Sequence, residues 1–567
     1  MNTRYFLTSL FATLIILAGC SEQPPSGQSL LPAEDKPTSQ PQPPQILVDA
    51  GAKKEQLAEE EKIADTIAPA KVKRRAIKPM RSTYIAAMAP SPEPAFQTGD
   101  REPYATIDDN KVMLTRESPV STLSVDVDTG SYSVVRRYIN GGRLPPKNSV
   151  RTEELINYFN YHYPRPESRK QPIQLYTEVA PTPWNSNTKL LHVGAQGFLP
   201  QKRPAANLVF LLDVSGSMHS ANKLPLLKAS FKLLVNNLPA ADRVSIVTYA
   251  RNAGVGLKPT AGEPKSKILS ALERLNAGGS THGSAGIREA YRLAEQAQID
   301  NGINRVILAT DGDFNVGVVS HDKLIELIEK KRAKGISLTT LGFGSGNYND
   351  KLMEQLADKG NGNYGYIDTI SEAQKVLVDE LASTLETIAA DVKIQIEFNP
   401  AVVAEYRLIG YENRLLNRED FNNDKVDAGE IGAGHTVTAL YEITLVDADN
   451  HRIDPLRYGP PTKNEMASNS NELAFLKLRY KLPNQKQSTL MQQPINRDGI
   501  NNEPSQRFRF STAVAAFGQL LRGGNHTGDL THQSIIELAN NARGEDHFGY
   551  RSEFVRMVRL AASLKGS

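Results

Sequence analysis

Apolar, strand-like segments alternate with helix-like segments through the middle of the chain. Asn207–Val214 (NLVFLLDV), Arg243–Tyr249 (RVSIVTY) and Asn304–Thr310 (NRVILAT) are almost continuously apolar, as strands buried on both faces of a parallel sheet are. Between and after these segments, apolar residues recur every three or four positions, which is typical of amphipathic helices. The alternation predicts an α/β fold over residues 205–390, with a doubly wound, Rossmann-like sheet and helices on both faces.

Two elements of this unit are predicted with particular bounds. Val255–Leu257 is expected to form a short edge strand, and Ser371–Ala389 a long closing helix. In doubly wound sheets, ligands bind outside the carboxyl ends of the strands. Polar residues that follow the strands are therefore the first candidates for a functional site.

Segments on both sides of residues 205–390 alternate apolar and polar residues, which indicates half-buried antiparallel strands. Ile173–Val179 (IQLYTEV) precedes the α/β unit, and Val392–Phe398 (VKIQIEF) and Thr436–Val446 (TVTALYEITLV) follow it. Because such strands lie on both sides, we expect the α/β unit to be inserted in one antiparallel β-sandwich. Helical spacing then predicts a helical C-terminal end over residues 505–567.

The N-terminal segment resembles the export signal of a bacterial lipoprotein. Arg4 precedes an apolar run that is too short for a membrane span of about 20 residues, and the run ends in Leu17-Ala18-Gly19-Cys20, which resembles a lipobox. The resemblance implies a lipid on Cys20, and the Ser21 that follows implies the outer membrane, with the protein facing the periplasm. The alternative is an ordinary signal peptide with an incidental cysteine.

Residues 20–103 are rich in Pro, Gln, Ser and Ala, a composition that buries no core and predicts a disordered tether. Lys53–Asp65 is a candidate short helix within it, and Lys71–Arg81 is a basic run that could touch an anionic surface. A solvated linker is the simpler interpretation of both. The predicted units are a signal peptide (1–19), a lipidated tether (20–103), an N-terminal strand–helix unit with the first sandwich strands (104–200), the α/β domain (205–390), the β-sandwich (391–490) and the helical end (505–567).

Composition excludes several function classes. Lys and Arg number 66 and Asp and Glu 63, for a net charge of +3, whereas a dedicated nucleic-acid binder normally has a strong basic excess. The one cysteine excludes a disulfide framework, a thiolate zinc site and an iron–sulfur cluster. Because the charges are nearly balanced, we expect no nucleic-acid partner.

Oxygen-bearing side chains follow three of the predicted elements. Asp213, Ser215 and Ser217 end the first strand, Thr281 lies in a loop before a helix, and Asp311 ends the strand Asn304–Thr310. Oxygen ligands alone favour Mg²⁺, Mn²⁺ or Ca²⁺ over zinc or copper. Few direct ligands, completed by water, suit Mg²⁺ better than Ca²⁺. The sequence therefore predicts a site for Mg²⁺, or Mn²⁺, at this edge of the sheet.

The three segments DVSGSM, GGSTHG and ATDGDFN resemble the metal-ion-dependent adhesion site of the von Willebrand factor type A domain. The resemblance implies that Ser215, Ser217 and Thr281 hold the ion, that Asp213 and Asp311 act often through water, and that a carboxylate from a partner completes the shell. Ser280, next to Thr281, is an alternative ligand.

Residues in and beside these segments also have alternative roles. Asp213 could cap a helix, and the serines could be turn residues. His219 and His282 flank the site and are expected to be rim residues rather than ligands. The two aspartates are expected to bring the site close to neutral when they face one divalent ion.

Two further segments, Ser121–His162 and Asp420–Leu440, resemble the YfbK type of bacterial lipoprotein that carries a type A domain. The resemblance extends over nearly the whole chain from about Tyr104. It implies the architecture more than it implies a biochemical role.

Two rival sites are weaker. Asp128-Thr129-Gly130 matches the aspartic-protease motif, but such an enzyme needs two carboxylates that share a proton, and the sequence has no second motif. Asp128 or Ser131 is expected to cap the following helix instead. The acidic segment from Asp420 to Asp427 lacks the glycine and glutamate of a calcium-binding loop and is expected to be a polar turn.

The sequence thus predicts a lipid-anchored protein of the cell envelope that is not an enzyme. It is expected to bind a protein partner through Mg²⁺ and an Asp or Glu carboxylate of that partner. The alternative is an envelope hydrolase, either metal-assisted or aspartic-protease-like through Asp128.

Overall fold

The structure is a computed structural model. Residues 1–101, which contain the predicted signal peptide, Cys20 and all but the last two residues of the predicted tether, lie outside the residues that it describes, and so do Thr281 and His282. No helix within the described ranges is long and apolar enough to span a membrane. The described residues are 102–250, 252–280, 283–312, 321–346, 348–454, 471–483 and 485–565.

The segment before the α/β domain contributes a long β-hairpin and two helices. The hairpin strands pair from Ile173 with Gly197 to Thr182 with Asn185 and are longer than the apolar alternation predicted. The elements are β1 (Met113–Leu114), β2 (Val120–Ser124), α1 (Gly130–Asn140), α2 (Thr152–Asn157), β3 (Ile173–Thr182) and β4 (Asn185–Gly197).

The α/β domain alternates strands and helices, as predicted. All residues of its first strand are buried, which explains the continuous apolar run in the sequence. Its elements are β5 (Ala206–Asp213), α3 (Leu224–Asn236), β6 (Arg243–Tyr249), β7 (Ala253–Ala261), α4 (Lys265–Glu273), α5 (Gly283–Gln296), β8 (Ile303–Thr310), α6 (His321–Arg332), β9 (Ser337–Phe343), α7 (Asp350–Lys359), β10 (Tyr364–Ile367), α8 (Ile370–Gln374) and α9 (Leu381–Leu385).

The C-terminal part supplies further strands and then three long helices. The elements are β11 (Thr387–Phe398), β12 (Val403–Ile409), β13 (Ile431–Gly432), β14 (Thr436–Leu445), β15 (Glu472–Lys481), β16 (Thr489–Asn496), α10 (Gln506–Leu521), α11 (His532–Asn541) and α12 (Tyr550–Lys565).

The sheet of the α/β domain has the strand order β10-β9-β8-β5-β6-β7. All neighbours are parallel except β7, which runs antiparallel to β6. The chain builds outward from β5 through β6 and then crosses to β8 on the other side of β5. The gap between the ends of β5 and β8 is therefore the topological switch point, where such sheets bind ligands.

Helices cover both faces of this sheet, as predicted. Phe210 on β5 packs in one core with Phe231 of α3. The next residue along the strand, Leu211, packs in the other core with Ile287 of α5. Alternate strand residues thus face opposite helical layers, and the doubly wound α/β prediction is confirmed.

A β-sandwich is built from strands on both sides of the α/β domain. One sheet has the order β1-β12-β14-β4-β3, and the other has the order β13-β11-β15-β16 with β2 paired to β11. Their inner faces share one core, to which Leu123, Val193, Ile394, Tyr441 and Leu476 contribute. β4 precedes the α/β domain in the chain and β14 follows it, and the two strands pair with each other. The prediction of a domain inserted in a sandwich is therefore also confirmed.

Two predicted elements have different bounds. The long helix over Ser371–Ala389 is wrong: the helical turns end at Leu385, and β11 begins at Thr387. Glu386 adopts an extended conformation, and Thr387 pairs with Gly432 of β13, so sheet pairing overrides helix spacing here. The edge strand expected at Val255–Leu257 is longer, because β7 pairs along the length of β6.

Candidate metal centre

Asp213 and Asp311 lie at the ends of neighbouring parallel strands. Asp213 is the last residue of β5, and Asp311 directly follows β8. The register pairs Leu212 with Ala309, so the two strands end together at the switch point. Both aspartates are fully buried. The structure therefore brings together the two carboxylates that sequence analysis placed in one site.

The Asp213 carboxylate accepts hydrogen bonds on both oxygens. The Ser215 backbone N–H donates to Oδ1 at 2.8 Å, and the Thr310 hydroxyl donates to Oδ2 at 2.9 Å. Burial raises the pKa of Asp213 to about 6, and the nearby Asp311 acts in the same direction, while the hydrogen bonds from Ser215 and Thr310 oppose the rise. A cation beside Asp213 would favour the charged form that burial disfavours.

The two predicted serines also lie together. The hydroxyl oxygens of Ser215 and Ser217 are 3.0 Å apart. Ser215 is buried and Ser217 is exposed, so the pair runs from the interior to the surface. The turn Gly216–His219 places Ser217 there, and His219 is exposed at its end.

Backbone hydrogen bonds join this loop to the loop that contains the second predicted segment. The Gly216 N–H donates to the Gly279 carbonyl at 2.9 Å, and the Gly278 N–H donates to the Val214 carbonyl at 2.8 Å. A Cβ at position 216 would lie 3.3 Å from that Gly279 oxygen, so glycine permits the close approach. Thr281 lies just beyond the described part of this loop, and its role stays a prediction.

A lysine that sequence analysis missed lies against the site. Lys223 Nζ is 2.7 Å from Asp311 Oδ2, and Lys223 is only 8% exposed. Its methylene groups pack on Gly344, where a Cβ would meet Lys223 carbons at 2.4 Å. The expectation of a near-neutral site, with two aspartates facing one divalent ion, leaves out this ammonium. Its position in the sequence could have indicated its contact with Asp311, because Lys223 directly precedes α3, whose start faces the same sheet edge.

The rival motif at Asp128 is buried between domains. Asp128 Oδ1 accepts the Tyr364 N–H at 2.8 Å, and its Oδ2 lies 3.2 Å from Arg414. Burial and the neighbouring Asp126 raise the pKa of Asp128. The prediction that Asp128 or Ser131 caps α1 is wrong, because no side chain of that turn caps the helix.

The α1 N-terminus is satisfied from another element. The Ser131 N–H donates to Glu154 Oε2 of α2 at 2.7 Å. In the acidic segment from Asp420 to Asp427, the Asp420 carboxylate accepts the Asn417 N–H at 3.0 Å and so caps a short helix. Within the described ranges, no group of three or more His, Cys, Asp and Glu side chains is arranged to hold a metal ion. Among the described residues, the candidate centre has the carboxylates of Asp213 and Asp311 and the hydroxyls of Ser215 and Ser217.

Comparison with known proteins identifies the family. A "von Willebrand factor type A domain" model matches residues 207–380, a "von Willebrand factor" model matches residues 98–192, and a model described as "Uncharacterized protein YfbK, C-terminal" matches residues 383–564. The protein YfbK of Escherichia coli (strain K12) is 47% identical over 466 residues, which cover 81% of this chain and 80% of that protein. The chain belongs to the YfbK family.

Two further similarities to this YfbK-family chain are weaker. Human inter-alpha-trypsin inhibitor heavy chain H2 is 26% identical over 181 residues, 30% of this chain and 19% of that protein. A solved structure of a von Willebrand factor type A protein from Catenulispora acidiphila is 16% identical, with a TM-score of 0.39, and covers 71% of this chain and 91% of its own. The type A assignment of this YfbK-family protein indicates a role in protein binding.

Proposed function

We propose that this YfbK-family protein binds a protein partner through a divalent cation, Mg²⁺ or Mn²⁺, held at the candidate metal centre. The observation that carries the proposal is the convergence of Asp213, Ser215, Ser217 and Asp311 at the switch point between β5 and β8. These groups offer carboxylate and hydroxyl oxygens, the donors that Mg²⁺ and Mn²⁺ prefer. Thr281 is included on its sequence match alone.

The residues present fit a divalent ion. Buried carboxylates are stabilised when they are paired or coordinate a metal, and Asp213 is fully buried. The exposed hydroxyl of Ser217 leaves the site open to solvent on one side. A bound ion there supplies an electrophilic point that an external oxygen ligand can reach.

Lys223 sets the electrostatic condition for ion binding. Its ammonium already pairs with Asp311, and a unit charge and a divalent ion about 4 Å apart repel each other by about 8 kcal/mol at an effective dielectric constant of about 20. When an ion binds, Lys223 therefore either withdraws from Asp311 or stays in place and lowers the affinity of the site for the ion. We propose that Lys223 lowers the affinity of the site for Mg²⁺.

The same charge favours an acidic partner. Two aspartates, one lysine and one divalent ion sum to a net positive charge, so an anion gains from entering the partly buried crevice. A partner Asp or Glu carboxylate at the open side, beside Ser217, supplies that anion. Lys223, once released from Asp311, is a second cation for the same carboxylate.

A capture experiment tests the binding proposal. Purified protein on beads is incubated with envelope extract in Mg²⁺ or in EDTA, with Asp213→Asn as the matched site variant. We expect one set of proteins to be lost both in EDTA and with Asp213→Asn, and binding to fail when one acidic residue of the partner becomes its amide. Retention of every captured protein in EDTA would contradict the proposal.

Lipid anchoring at Cys20 and a place at the outer membrane, facing the periplasm, are separate proposals that rest on the LAGC motif. The test is whether lipid labelling and membrane association depend on the Cys20 thiol. A Cys20→Ala variant should lose radiolabelled palmitate and move to the soluble fraction. Labelling that persists in Cys20→Ala would remove the proposal and leave the metal site untouched.

The hydrolase alternative has less support. Asp128 is 4% exposed and its oxygens are engaged by Tyr364 and Arg414, so a substrate has no access to it. Among the described residues at the metal centre, the charged group that lies against Asp311 is the Lys223 ammonium, and no carboxylate or imidazole base with an orienting partner is found there. We therefore propose a binding role and not an enzymatic one.

A further inference from the structure

The loop that follows β9 lies against the Lys223 side chain. Gly344 in this loop has a φ of +75°, and a Cβ there would be 2.4 Å from both Cγ and Cε of Lys223. The methylene groups of Lys223 therefore occupy the space that a side chain at position 344 would fill. Because Lys223 Nζ is 2.7 Å from Asp311 Oδ2, the loop packs on the lysine in the conformation that pairs with Asp311.

Arg137 of α1 contacts this loop from outside the α/β domain. Its Nη1 lies 3.4 Å from the Gly344 carbonyl oxygen and donates to the Tyr366 hydroxyl at 3.0 Å. The Tyr366 hydroxyl, on β10, donates in turn to the Gly344 carbonyl. Donors from α1 and from β10 thus converge on the carbonyl of the residue that packs on Lys223.

Glu102 joins Arg137 to the backbone of the same loop. Its Oε1 accepts from Arg137 Nη1 at 2.7 Å and from the Gly346 N–H at 2.8 Å. Its Oε2 accepts from Arg137 Nη2 and from the Tyr104 hydroxyl. The Glu102 side chain has no exposed area, and that of Arg137 is 18% exposed. Bidentate, charge-assisted hydrogen bonds of this kind are strong and fix the geometry of both partners.

A loop that is held in place favours the paired conformation of Lys223. A lysine side chain that is confined to one conformation loses rotamer freedom, and a fixed surface at Gly344 imposes that confinement. A loosened loop returns this freedom to the lysine. Withdrawal of Lys223 from Asp311 is then easier, and an ion meets less competition for the carboxylate.

We propose that Arg137 and Glu102 are positioning residues that hold Lys223 on Asp311 through residues 344–346, and so lower the ion affinity of the candidate metal centre. This inference rests on the proposed function, because it concerns the regulation of the same site. Coupling between two sites is reciprocal, so a bound ion loosens the contacts of Glu102. Because Glu102 lies at the C-terminal end of the predicted tether, ion binding is linked to how firmly that end is attached.

Calorimetric titration of the full chain with Mg²⁺ tests the role of Arg137. Arg137→Met should raise the affinity about threefold or more, but should change it by less than about twofold when Lys223→Met is already present. Arg292→Met, which breaks an exposed pair with Glu289 on α5, is the matched control and should bind as the unaltered chain does. An effect of Arg137→Met that is absent, or that is equal with and without Lys223, would overturn the inference.

Gly344→Ala tests the loop directly and keeps the inference testable if Arg137→Met does not fold. The added Cβ would take the place of Lys223 methylene groups, so the Mg²⁺ affinity should rise about threefold or more. Gly335→Ala imposes a similar backbone strain, at a φ of +81°, but its Cβ would have no atom within 4 Å. It should leave the affinity unchanged, and equal affinities in the two variants would overturn the inference.

Hydrogen–deuterium exchange gives a readout that does not depend on ion affinity. In EDTA, peptides that contain residues 344–346 should exchange faster in Arg137→Met than in the unaltered chain, and equal exchange would overturn the inference. Mg²⁺ should speed exchange of these peptides in the unaltered chain but not in Asp213→Asn. Mg²⁺ binding that persists in Asp213→Asn would overturn the proposed function and this inference with it. Binding that requires Asp213 but leaves the exchange unchanged would overturn the inference alone.

Discussion

The Lys223 ammonium lies 2.7 Å from Asp311 Oδ2, at the side of the candidate metal centre that faces the β9–α7 loop. Asp311 is fully buried, and so are most atoms of Lys223. The pair therefore places a protein cation where a divalent ion would need the same carboxylate. At this site the Lys223 ammonium and a divalent ion would therefore compete for the Asp311 carboxylate.

Removal of Lys223 should strengthen ion binding. In Lys223→Met the methylene chain still packs on Gly344, but the charge that repels the ion is gone. We expect the affinity for Mg²⁺ to rise about tenfold or more, given a repulsion of several kcal/mol. Calorimetry measures it, with Lys228→Met as the control, since Lys228 donates to the Glu273 carbonyl away from the site. Equal affinities in both variants would show that Lys223 does not compete.

Ser215 should matter to ion binding, whereas a nearby serine should not. Ser215→Ala removes a buried hydroxyl that lies 3.0 Å from the Ser217 hydroxyl, and we expect roughly a tenfold loss of Mg²⁺ affinity. Ser220 is exposed and donates to Asn222, so Ser220→Ala should bind Mg²⁺ normally. A comparable loss in both variants would point to a disturbed loop rather than a lost ligand.

Arg414 should stabilise the contact between the sandwich and the α/β domain. Its guanidinium reaches Asp126 and Asp128 before α1 and Glu354 and Asp358 on α7, at 2.7 to 3.2 Å. Arg414→Met leaves these carboxylates without their cation, and we expect the free energy of unfolding to fall by about 3–5 kcal/mol.

Denaturant unfolding measures the effect of Arg414→Met. The exposed Arg418 provides the control, and Arg418→Met should change the free energy of unfolding by no more than about 0.5 kcal/mol. A similarly small change in Arg414→Met would mean that other contacts hold the two parts together.

Stability should depend on pH through Glu153. Burial raises the pKa of Glu153 to about 8, from an ordinary value of 4.5, and Glu412 and Asp126 act in the same direction. The folded chain therefore holds a proton that the unfolded chain has already lost, so this group's contribution to stability falls as pH rises from about 4.5 to about 8, by up to about 1.4 kcal/mol per pH unit.

Glu153→Gln isolates this contribution, because glutamine is neutral throughout and still accepts the Tyr411 N–H at its oxygen. Its melting temperature relative to the unaltered chain should increase from pH 5 to pH 8. Glu419→Gln, at an exposed position, should show a constant difference. The same constant difference in Glu153→Gln would mean that Glu153 is ionised in the folded chain.

Much of the fold and part of the site could be predicted from sequence because they depend on local patterns. The continuous apolar run of β5 follows from burial on both faces, and Asp213 and Asp311 meet because parallel strands end at one edge. The YfbK-family assignment then agrees with the resemblance carried by the motifs.

The features that sequence patterns did not predict depend on contacts between distant segments of the chain. The side chain of Lys223 packs on Gly344 of the loop after β9, a contact that its position directly before α3 does not specify. The helical end at Leu385 likewise depends on pairing of Thr387 with Gly432, far along the chain.

Titration of free Mn²⁺ with the purified chain tests the central claim most directly. Electron paramagnetic resonance of Mn²⁺, titrated with the purified chain, reports free ion by its signal amplitude. We predict that the chain lowers this amplitude, that Mg²⁺ restores it by competition, that Asp213→Asn has no effect on it, and that Lys223→Met lowers it at smaller protein concentrations. An amplitude that the unaltered chain and Asp213→Asn lower equally would contradict a metal centre at Asp213.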